Sequence, residues 1–502
     1  MDEKKTAWLN ALALAVVLFA FLYAATPFFA KNTLWLDEAT DAVIGQNLFL
    51  TGQLRNDDGT FVGRAPLNHF LLAVSYSLFG MNEFVLYACI LALALVSLAL
   101  VFILLRRLYG LFAATAAGLM LGLSSVFVFY SLRFLTEIPQ VLAVAFSLFF
   151  FFLVFKERKF EFAPFLALGV FFALFAKPTL PVIFFPLALA VFLFYWKELF
   201  ELFGNRKAVG VSIAVVVFFS FAVFSYNFAG TGSPIGLLSD YWTAVHEGQT
   251  VFPFEWYFSN AEGIFSGWFA VGLILLGAAY AAWNGDKPSL TIFLLFSISL
   301  LIMSFATIFK DYRYVMFVFP AAYALVGFAA ATALKSVSLS IPKNEEDALK
   351  AVLAAFVIVA LAASTVFNYS YVTTFTESRV SSYSEFKVAG AFVENITSSN
   401  ETVFATGGPE LGYYANRKAL MFDYLNITNF LSELQKNNVR IIVVGIHEHG
   451  AEVVAASQKM QANQTQNPQN SFEYIFFNPN EFKPLQGFTS GQNTIMVVFE
   501  RV

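Results

Sequence analysis

Cysteine, histidine and charge are all scarce in this sequence of 502 residues. The single cysteine, Cys89, excludes an intramolecular disulfide, and its place inside an apolar run indicates a small buried side chain. Charged residues make up 13% of the chain, whereas soluble domains carry about a quarter. The formal net charge of −4, with no basic stripe, excludes a broadly basic nucleic-acid-binding protein.

What the sequence has in excess is apolar residues, which account for 58% of the chain and include 63 phenylalanines. A bilayer core about 30 Å thick requires about 20 apolar residues of helix. Runs of this kind predict about eleven transmembrane helices, near 7–29, 84–105, 111–131, 137–155, 160–176, 178–196, 208–228, 263–283, 289–309, 314–334 and 350–372. The first run is long and lacks a small-x-small cleavage site, so an uncleaved span is preferred to a signal peptide.

The segment 66–80 is apolar but short, and the distribution of lysine and arginine in the loops decides whether it spans the membrane. If it does not span, the basic clusters of the later loops all face the cytoplasm. We therefore interpret it as a membrane-surface or re-entrant helix. This topology predicts a multi-pass cell-membrane protein with a cytoplasmic N-terminus and an extracytoplasmic C-terminal domain.

Beyond residue 375 the hydropathy falls and the pattern of the sequence changes. Short β-rich runs lie at 402–406, 440–444, 472–477 and 494–499, with amphipathic helical stretches near 384–394 and 427–437. The stretch 458–470 is typical of a surface loop. The predicted fold is thus a helical polytopic membrane domain over 1–374, followed by a soluble extracytoplasmic α/β domain over 375–502. The α/β domain has no glycine-rich nucleotide motif.

An acidic pair, Asp37 and Glu38, lies just after the first span in a mostly apolar setting. A carboxylate at that position is neither deep in lipid nor freely solvated, so it needs an explanation. One explanation is structural: Asp37 begins the helix of 38–50, with Glu38 in its first turn. The other is catalytic: one carboxylate is a general base and its neighbour orients it or binds substrate.

Cationic residues recur at the predicted outer ends of later spans. Arg133 and Glu137 are four residues apart, which puts them on one helix face, and a local ion pair at a helix end is the structural alternative. Lys177 precedes a proline, where snorkelling is an alternative explanation, and Arg313 lies at the start of the tenth span. Together they are what binding a lipid-anchored phosphate beside a catalytic base would require.

The long outer loop 229–262 adds His246 and Glu247 among several aromatic residues. Carbohydrate stacks on such rings, but an aromatic belt at the membrane interface explains them equally well. A metal site at His246 and Glu247 has weak support, because the chain contains only four histidines. We predict no obligatory metal.

The order of motifs along the chain resembles that of a known family. The motifs are LWLDEA, then RAPLNHFLLAVSYSLFG, an inner turn with two arginines, RFLTE, AKPTLP and RYVMFVFP. This order resembles the GT-C fold of polyprenol-phosphate-sugar-dependent glycosyltransferases, in particular prokaryotic relatives of the protein O-mannosyltransferases and the lipid A aminoarabinose transferases. The likeness covers most of the membrane portion and extends to the C-terminal domain.

The resemblance implies an extracytoplasmic enzyme that takes a sugar from a dolichyl- or undecaprenyl-phosphate carrier. It implies Asp37 as the catalytic base with Glu38 beside it, and binding of the carrier phosphate by Arg133, Lys177 and Arg313. Glu137 stands where relatives often have aspartate, and Arg64-Ala65-Pro66 replaces a double proline. Further candidates for substrate binding are Glu137, Arg64, His69, His246 and Glu247.

The predicted activity is inverting transfer of a mannose-like hexose or related sugar to a protein, glycan or lipid acceptor on the outer face. The alternative is a transporter or flippase for a lipid-linked or anionic substrate. Transporters place their charges near the bilayer midplane on broken helices, often within inverted repeats. Here no repeat is evident, and the charges gather at one face. The pattern therefore favours an enzyme.

Overall fold

A computed structural model describes residues 3–57, 59, 66–177, 180–231, 233, 252–306, 310–336, 345–380, 382–462, 467–490 and 493–502. The chain divides into two compact units. The first, called the membrane unit here, comprises Met1–Lys31, Gly63–Leu71 and Glu83–Val380. The second, called the α/β unit, comprises Asn32–Val62, Leu72–Asn82 and Ser381–Val502. The loop with the acidic pair therefore groups with the C-terminal residues.

The membrane unit is helical, because a chain in lipid must satisfy its backbone N–H and C=O groups internally. Short 3₁₀ segments occur at Phe160–Phe162 and Tyr312–Val318. Its α-helices are Glu3–Phe29, Glu83–Tyr109, Leu111–Gly122, Ser125–Tyr130, Glu137–Phe155, Ala163–Ala176, Leu180–Phe194, Trp196–Gly204, Arg206–Thr231, Trp256–Ser259, Ala261–Phe265, Trp268–Asn284, Lys287–Ala306, Phe319–Ser336 and Glu345–Glu377. The helix Leu67–Phe79 has residues in both units.

Each of the eleven predicted spans coincides with a helix or with consecutive helices. Among the described residues, seven helices are long and apolar enough to cross a bilayer. The pair Ile183–Phe194 and Trp196–Gly204, bent by 94°, makes an eighth if it is one span. The predicted spans 111–131, 160–176 and 263–283 contain apolar helices of only 10–17 residues. The segment predicted not to span is likewise short.

The predicted span 111–131 is interrupted because its backbone turns at Leu123 and Ser124. The backbone N–H of Ser125 donates to Ser266 Oγ at 2.7 Å, and the hydroxyls of Ser125 and Ser266 lie 2.9 Å apart. Buried hydroxyls thus satisfy polar groups that a continuous helix would bond internally. Hydropathy averages over such a break, so the sequence predicts one span where the structure has two helices.

The α/β unit contains a five-stranded sheet with strand order β2-β1-β3-β5-β4. The strands are β1 Thr402–Ala405, β2 Lys418–Leu420, β3 Ile441–Gly445, β4 Phe482–Ser490 and β5 Asn493–Arg501. β2, β1 and β3 are mutually parallel, while β5 runs antiparallel to both β3 and β4. The helices of the unit are Leu36–Thr51, Ser384–Ile396, Gly408–Ala415, Ile427–Lys436, Ile446–Gln461 and Ser471–Phe477.

Alternating side chains of the central strands form a hydrophobic core on each face of the sheet. On one face Phe404 and Ile442 pack with the helices Ile427–Lys436 and Ser471–Phe477. On the other, Val403 and Val443 pack with Phe386, Leu411 and other residues of the helices Ser384–Ile396 and Gly408–Ala415. Helices cover both faces, as expected for parallel strands that are buried on each side.

The strand predicted at 472–477 is wrong, since Ser471–Phe477 is a helix. Asn470 caps this helix by accepting the backbone N–H of Glu473 at 2.9 Å, and a short apolar run does not distinguish strand from helix. The predicted loop 458–470 begins as helix, which continues to Gln461, and 463–466 lie outside the described residues.

Strands β2 and β4 were not predicted. β2 has only three residues. β4 contains Pro484 and Gly487, and its register with β5 shifts between Pro484 and Gln486 and between Phe488 and Thr489. Both features suit an edge strand.

A buried carboxylate at Glu473 makes the stability of the α/β unit depend on pH. Burial by itself raises the pKa of Glu473, but hydrogen bonds from Lys459 Nζ at 2.6 Å and Gln469 N–H at 2.7 Å outweigh it and hold that pKa below its ordinary value. A folded-state pKa below the unfolded one stabilises the fold at neutral pH, and this stabilisation disappears as pH falls through the folded-state pKa.

We expect Glu473→Gln to destabilise the α/β unit at neutral pH by about 1–3 kcal/mol, because a charged acceptor is lost. The difference from wild type should vanish as the pH falls below the folded-state pKa. Hydrogen exchange at the amides of Ile441–Gly445 in the full chain measures it, with the exposed Glu394→Gln as the matched control. A constant difference between the two proteins at every pH would contradict the assignment.

Candidate functional site

The acidic pair opens the helix Leu36–Thr51, whose N-cap is Trp35. Glu38, which is fully buried, accepts the backbone N–H of Trp35 through Oε2 at 2.8 Å. This bond from the N-cap backbone to the side chain of the third helical residue is one half of a capping box. Glu38 is therefore the acidic residue whose side chain takes part in capping the helix. The structural alternative predicted for Asp37, that it begins the helix, is therefore wrong: Asp37 is the second helical residue.

Asp37 is half-buried, whereas Glu38 and Asp41 are buried. The three carboxylates lie in the first two turns of one helix, where the N-terminal end of the helix dipole favours negative charge. Asp41 is one turn beyond Asp37 and was not singled out from the sequence. Of the acidic pair, Asp37 is the more exposed carboxylate.

Within the membrane unit, the predicted cations Lys177 and Arg313 both lie against the Tyr314 ring. Lys177 Nζ is 4.4 Å from the ring centroid and the Arg313 guanidinium carbon is 5.2 Å from it. The second terminal nitrogen of Arg313 also donates to Tyr314 Oη at 3.4 Å. Cations are attracted to aromatic faces, so Tyr314 holds the two positive groups near each other. Tyr314 is not among the residues predicted from the sequence.

Lys177 is mostly buried and donates to Glu137 Oε1 at 3.0 Å. It ends the helix Ala163–Ala176 in an extended conformation, which the proline that follows in the sequence favours. Glu137, 2% exposed, is the first residue of the helix Glu137–Phe155. The placement of Arg133 and Glu137 on one helix face is therefore wrong, because Arg133 precedes that helix.

Arg133 is fully buried despite its charge. Its guanidinium lies 5.1 Å from the Phe129 ring centroid, and one terminal nitrogen donates to the Arg379 carbonyl at 3.0 Å. Arg379, which follows the last span, was also missed, since it lies outside every motif used. Its own guanidinium is 4.0 Å from the Phe375 ring centroid.

Asp311 and Tyr130 connect these groups. Asp311 Oδ1 accepts the backbone N–H of Arg313 at 2.9 Å and the hydroxyl of Tyr130 at 3.4 Å. The Tyr130 ring also packs against the Phe129 ring, with the centroids 5.1 Å apart, and Phe129 is the ring that the Arg133 guanidinium lies over. The structure thus brings Arg133, Glu137, Lys177 and Arg313 together from separate segments of the chain. Among the described residues of this cluster, the carboxylates are Glu137 and Asp311 and the predicted cations are Arg133, Lys177 and Arg313.

A second charged cluster lies at the other end of the helix Glu137–Phe155. Arg107 pairs with Glu157 at 3.1 Å, and Glu198 pairs with Lys287 at 3.1 Å and with Arg158 at 3.8 Å. These residues come from loops that the positive-inside pattern assigns to one side of the membrane. The contacts support that grouping of loops.

The other predicted site residues are His69, Arg64, His246 and Glu247. His69 is buried near the start of the helix Leu67–Phe79. Arg64, His246 and Glu247 lie outside the described residues. In the part of the chain that the structure describes, no group of three or more histidine, cysteine, aspartate or glutamate residues could hold a metal ion.

Comparison with known structures identifies the fold. ArnT from Cupriavidus metallidurans, bound to undecaprenyl phosphate, aligns over 99% of this chain and 98% of its own, with a TM-score of 0.69 and 14% identity. This chain has the GT-C fold. The GT-C oligosaccharyltransferase of Archaeoglobus fulgidus aligns over 89% of this chain and 71% of its own, with a TM-score of 0.63 and 12% identity.

A third GT-C structure, the mycobacterial arabinofuranosyltransferase AftD, matches with a TM-score of 0.56 and 11% identity, over all of this chain and 40% of AftD. The profile of the family described as dolichyl-phosphate-mannose-protein mannosyltransferase matches residues 63–225. No curated protein sequence matches the chain. The predicted resemblance to polyprenol-phosphate-sugar-dependent glycosyltransferases is confirmed, as is a multi-pass membrane protein with a C-terminal sheet domain.

Proposed function

We propose that this protein is a membrane glycosyltransferase that moves a sugar from a polyprenyl-phosphate carrier to an acceptor hydroxyl or amine. The observation that carries the proposal is the gathering of Arg133, Lys177 and Arg313 in the membrane unit of a GT-C fold. The carrier is dolichyl or undecaprenyl phosphate, and the sugar is a mannose-like hexose or a related sugar. The acceptor is a protein, a glycan or a lipid on the outer face, where the C-terminal domain lies, with the N-terminus in the cytoplasm.

The cations act on the leaving group. When the bond between the anomeric carbon and the phosphate oxygen breaks, its electron pair stays on that oxygen. Arg133, Lys177 and Arg313 stabilise this charge because they are fixed before the reaction. Tyr314, Glu137 and Asp311 hold Lys177 and Arg313, while Phe129 and the Arg379 carbonyl hold Arg133. Guanidinium groups suit a phosphate because they present several donors in one plane.

Asp37 accepts the proton of the acceptor group as that group attacks the anomeric carbon. The burial of Glu38 and its bond to Trp35 suit a residue that orients the helix, while the half-buried Asp37 suits the base. One base and one attack lead to inversion at the anomeric carbon, since no covalent glycosyl intermediate forms. Fixed cations provide the stabilisation of the leaving group, so the proposal requires no metal. Arg64, His69, His246 and Glu247 are proposed substrate contacts.

The test is donor consumption by the purified protein. Proteoliposomes containing the wild type are incubated with a panel of radiolabelled polyprenyl-phosphate sugars and candidate acceptor peptides, glycans and lipids. We expect release of polyprenyl phosphate from one donor class, with the label transferred to one acceptor class in inverted configuration. A wild type that consumes no donor, yet moves a lipid-linked sugar between leaflets, would establish the flippase alternative instead.

A further inference from the structure

Within the α/β unit, two hydrogen bonds tie the residues before the acidic pair to the C-terminal part of the chain. The backbone N–H of Leu34 donates to Tyr414 Oη at 2.9 Å, across 380 residues of sequence. The Thr33 hydroxyl donates to the carbonyl of Ser382, across 349 residues. Two bonds on adjacent residues fix both the position and the direction of the chain as it enters the helix of Asp37.

The backbone from Leu34 to Asp37 has little conformational freedom. Leu34 is buried and is held by Tyr414, and the N–H of the next residue, Trp35, is held by Glu38. The helix then begins at Leu36 and places Asp37 in its first turn. A displacement of Leu34 is therefore passed to Asp37 with no flexible residue in between.

Tyr414 is itself rigidly placed. It lies in the helix Gly408–Ala415, which packs on the sheet through Leu411 and Ala415. A Cβ on Gly390 of the neighbouring helix would come within 2.5 Å of Tyr414 Cβ, so glycine allows close packing of the two helices there. Asp57, which follows the helix Leu36–Thr51, lies against the same helix Gly408–Ala415, because a Cβ on Gly412 would be 3.4 Å from Asp57 Oδ2.

We propose that the C-terminal α/β domain serves as the platform that positions Asp37, with Tyr414 as its positioning residue. The proposal rests on the proposed function, since it takes Asp37 as the base. It gives the C-terminal domain a role in catalysis that requires no contact with substrate. Tyr414 acts on the reaction through Leu34 and the first turn of the helix, not through contact with donor or acceptor.

The test is Tyr414→Phe, which removes only the hydroxyl that Leu34 uses. We expect kcat to fall about tenfold, because small displacements of a catalytic group cost one to two orders of magnitude in rate. The KM for the donor should not change. The matched control is Tyr474→Phe, which removes a tyrosine hydroxyl bonded to Glu481 at 3.1 Å in the same domain, and it should leave kcat unchanged.

Two further readouts separate positioning from general damage. The double variant Tyr414→Phe/Asp37→Asn should turn over as fast as Asp37→Asn alone, because Tyr414 acts through Asp37. Hydrogen exchange in Tyr414→Phe should increase at the start of Leu36–Thr51 and remain at wild-type values in Ile441–Gly445.

Wild-type kcat in Tyr414→Phe, or a further tenfold loss on top of Asp37→Asn, would overturn the platform while leaving the proposed function in place. Failure of the proposed function would appear separately, as a wild type that turns over no donor.

Discussion

Replacing Asp37 by asparagine will slow turnover at least about a hundredfold and leave donor binding intact, as the loss of a general base requires. Asparagine keeps the shape of the side chain but cannot take the proton of the acceptor. The measurements are single-turnover sugar transfer from the polyprenyl-phosphate donor and equilibrium binding of that donor.

The matched control is Glu38→Gln, which changes the neighbouring residue in the same way. Its side-chain oxygen can still accept the Trp35 N–H, so the cap and the helix persist. We expect this variant to lose less than about tenfold in rate, since no proton transfer depends on it. If Asp37→Asn is as fast as wild type and Glu38→Gln is inactive, the base is Glu38. If both are fast, neither carboxylate is the base.

Hydropathy and periodicity were sufficient for the long helices of the membrane unit, and for three strands and two helices of the C-terminal part of the chain. These signals average over many residues, so a long apolar run is recognised even where its helix breaks, as at Leu123 and Ser124. They fail where a single contact decides the structure. The apolar residues of Ser471–Phe477 fit a strand equally well until Asn470 is recognised as the cap.

The charged residues of the cluster could be selected from the sequence, but their pairing could not. Arg133 was placed with Glu137 because four residues separate them, whereas the observed partner of Glu137 is Lys177, 40 residues away. Tyr314 gave no signal, because an aromatic residue at a membrane boundary is common. Such partners follow from how the helices pack in three dimensions, and no local pattern encodes that packing.

The buried pair of Glu137 and Lys177 leads to the second large effect. Lys177→Met alone would leave the Glu137 carboxylate buried without its partner, which typically costs about 3–5 kcal/mol and threatens the fold. The double variant Lys177→Met/Glu137→Gln removes both charges at nearly constant volume, so it should remain folded. We expect its kcat/KM for the donor to fall about a hundredfold, as when one preorganised group that stabilises developing charge is lost.

A matched double variant at the other charged cluster provides the control. Lys287→Met/Glu198→Gln removes an ion pair of similar separation, 3.1 Å against 3.0 Å, at the other end of the helix Glu137–Phe155, and its activity should stay near that of wild type. The kcat/KM of the single variant Glu137→Gln should lie between the values of the two double variants, because Lys177 keeps its charge but loses its hydrogen bond to Glu137. The thermal stability of each variant in detergent must be measured alongside the rates.

Product inhibition tells whether Lys177 acts on the phosphate or only supports the fold. Polyprenyl phosphate carries the charge that Lys177 is proposed to bind, so its inhibition constant should rise in Lys177→Met/Glu137→Gln and stay unchanged in Asp37→Asn. A folded double variant with a wild-type inhibition constant and a wild-type rate would mean that the pair is purely structural. The phosphate would then have to be bound by Arg133 and Arg313, whose positions beside Phe129 and Tyr314 do not require Lys177.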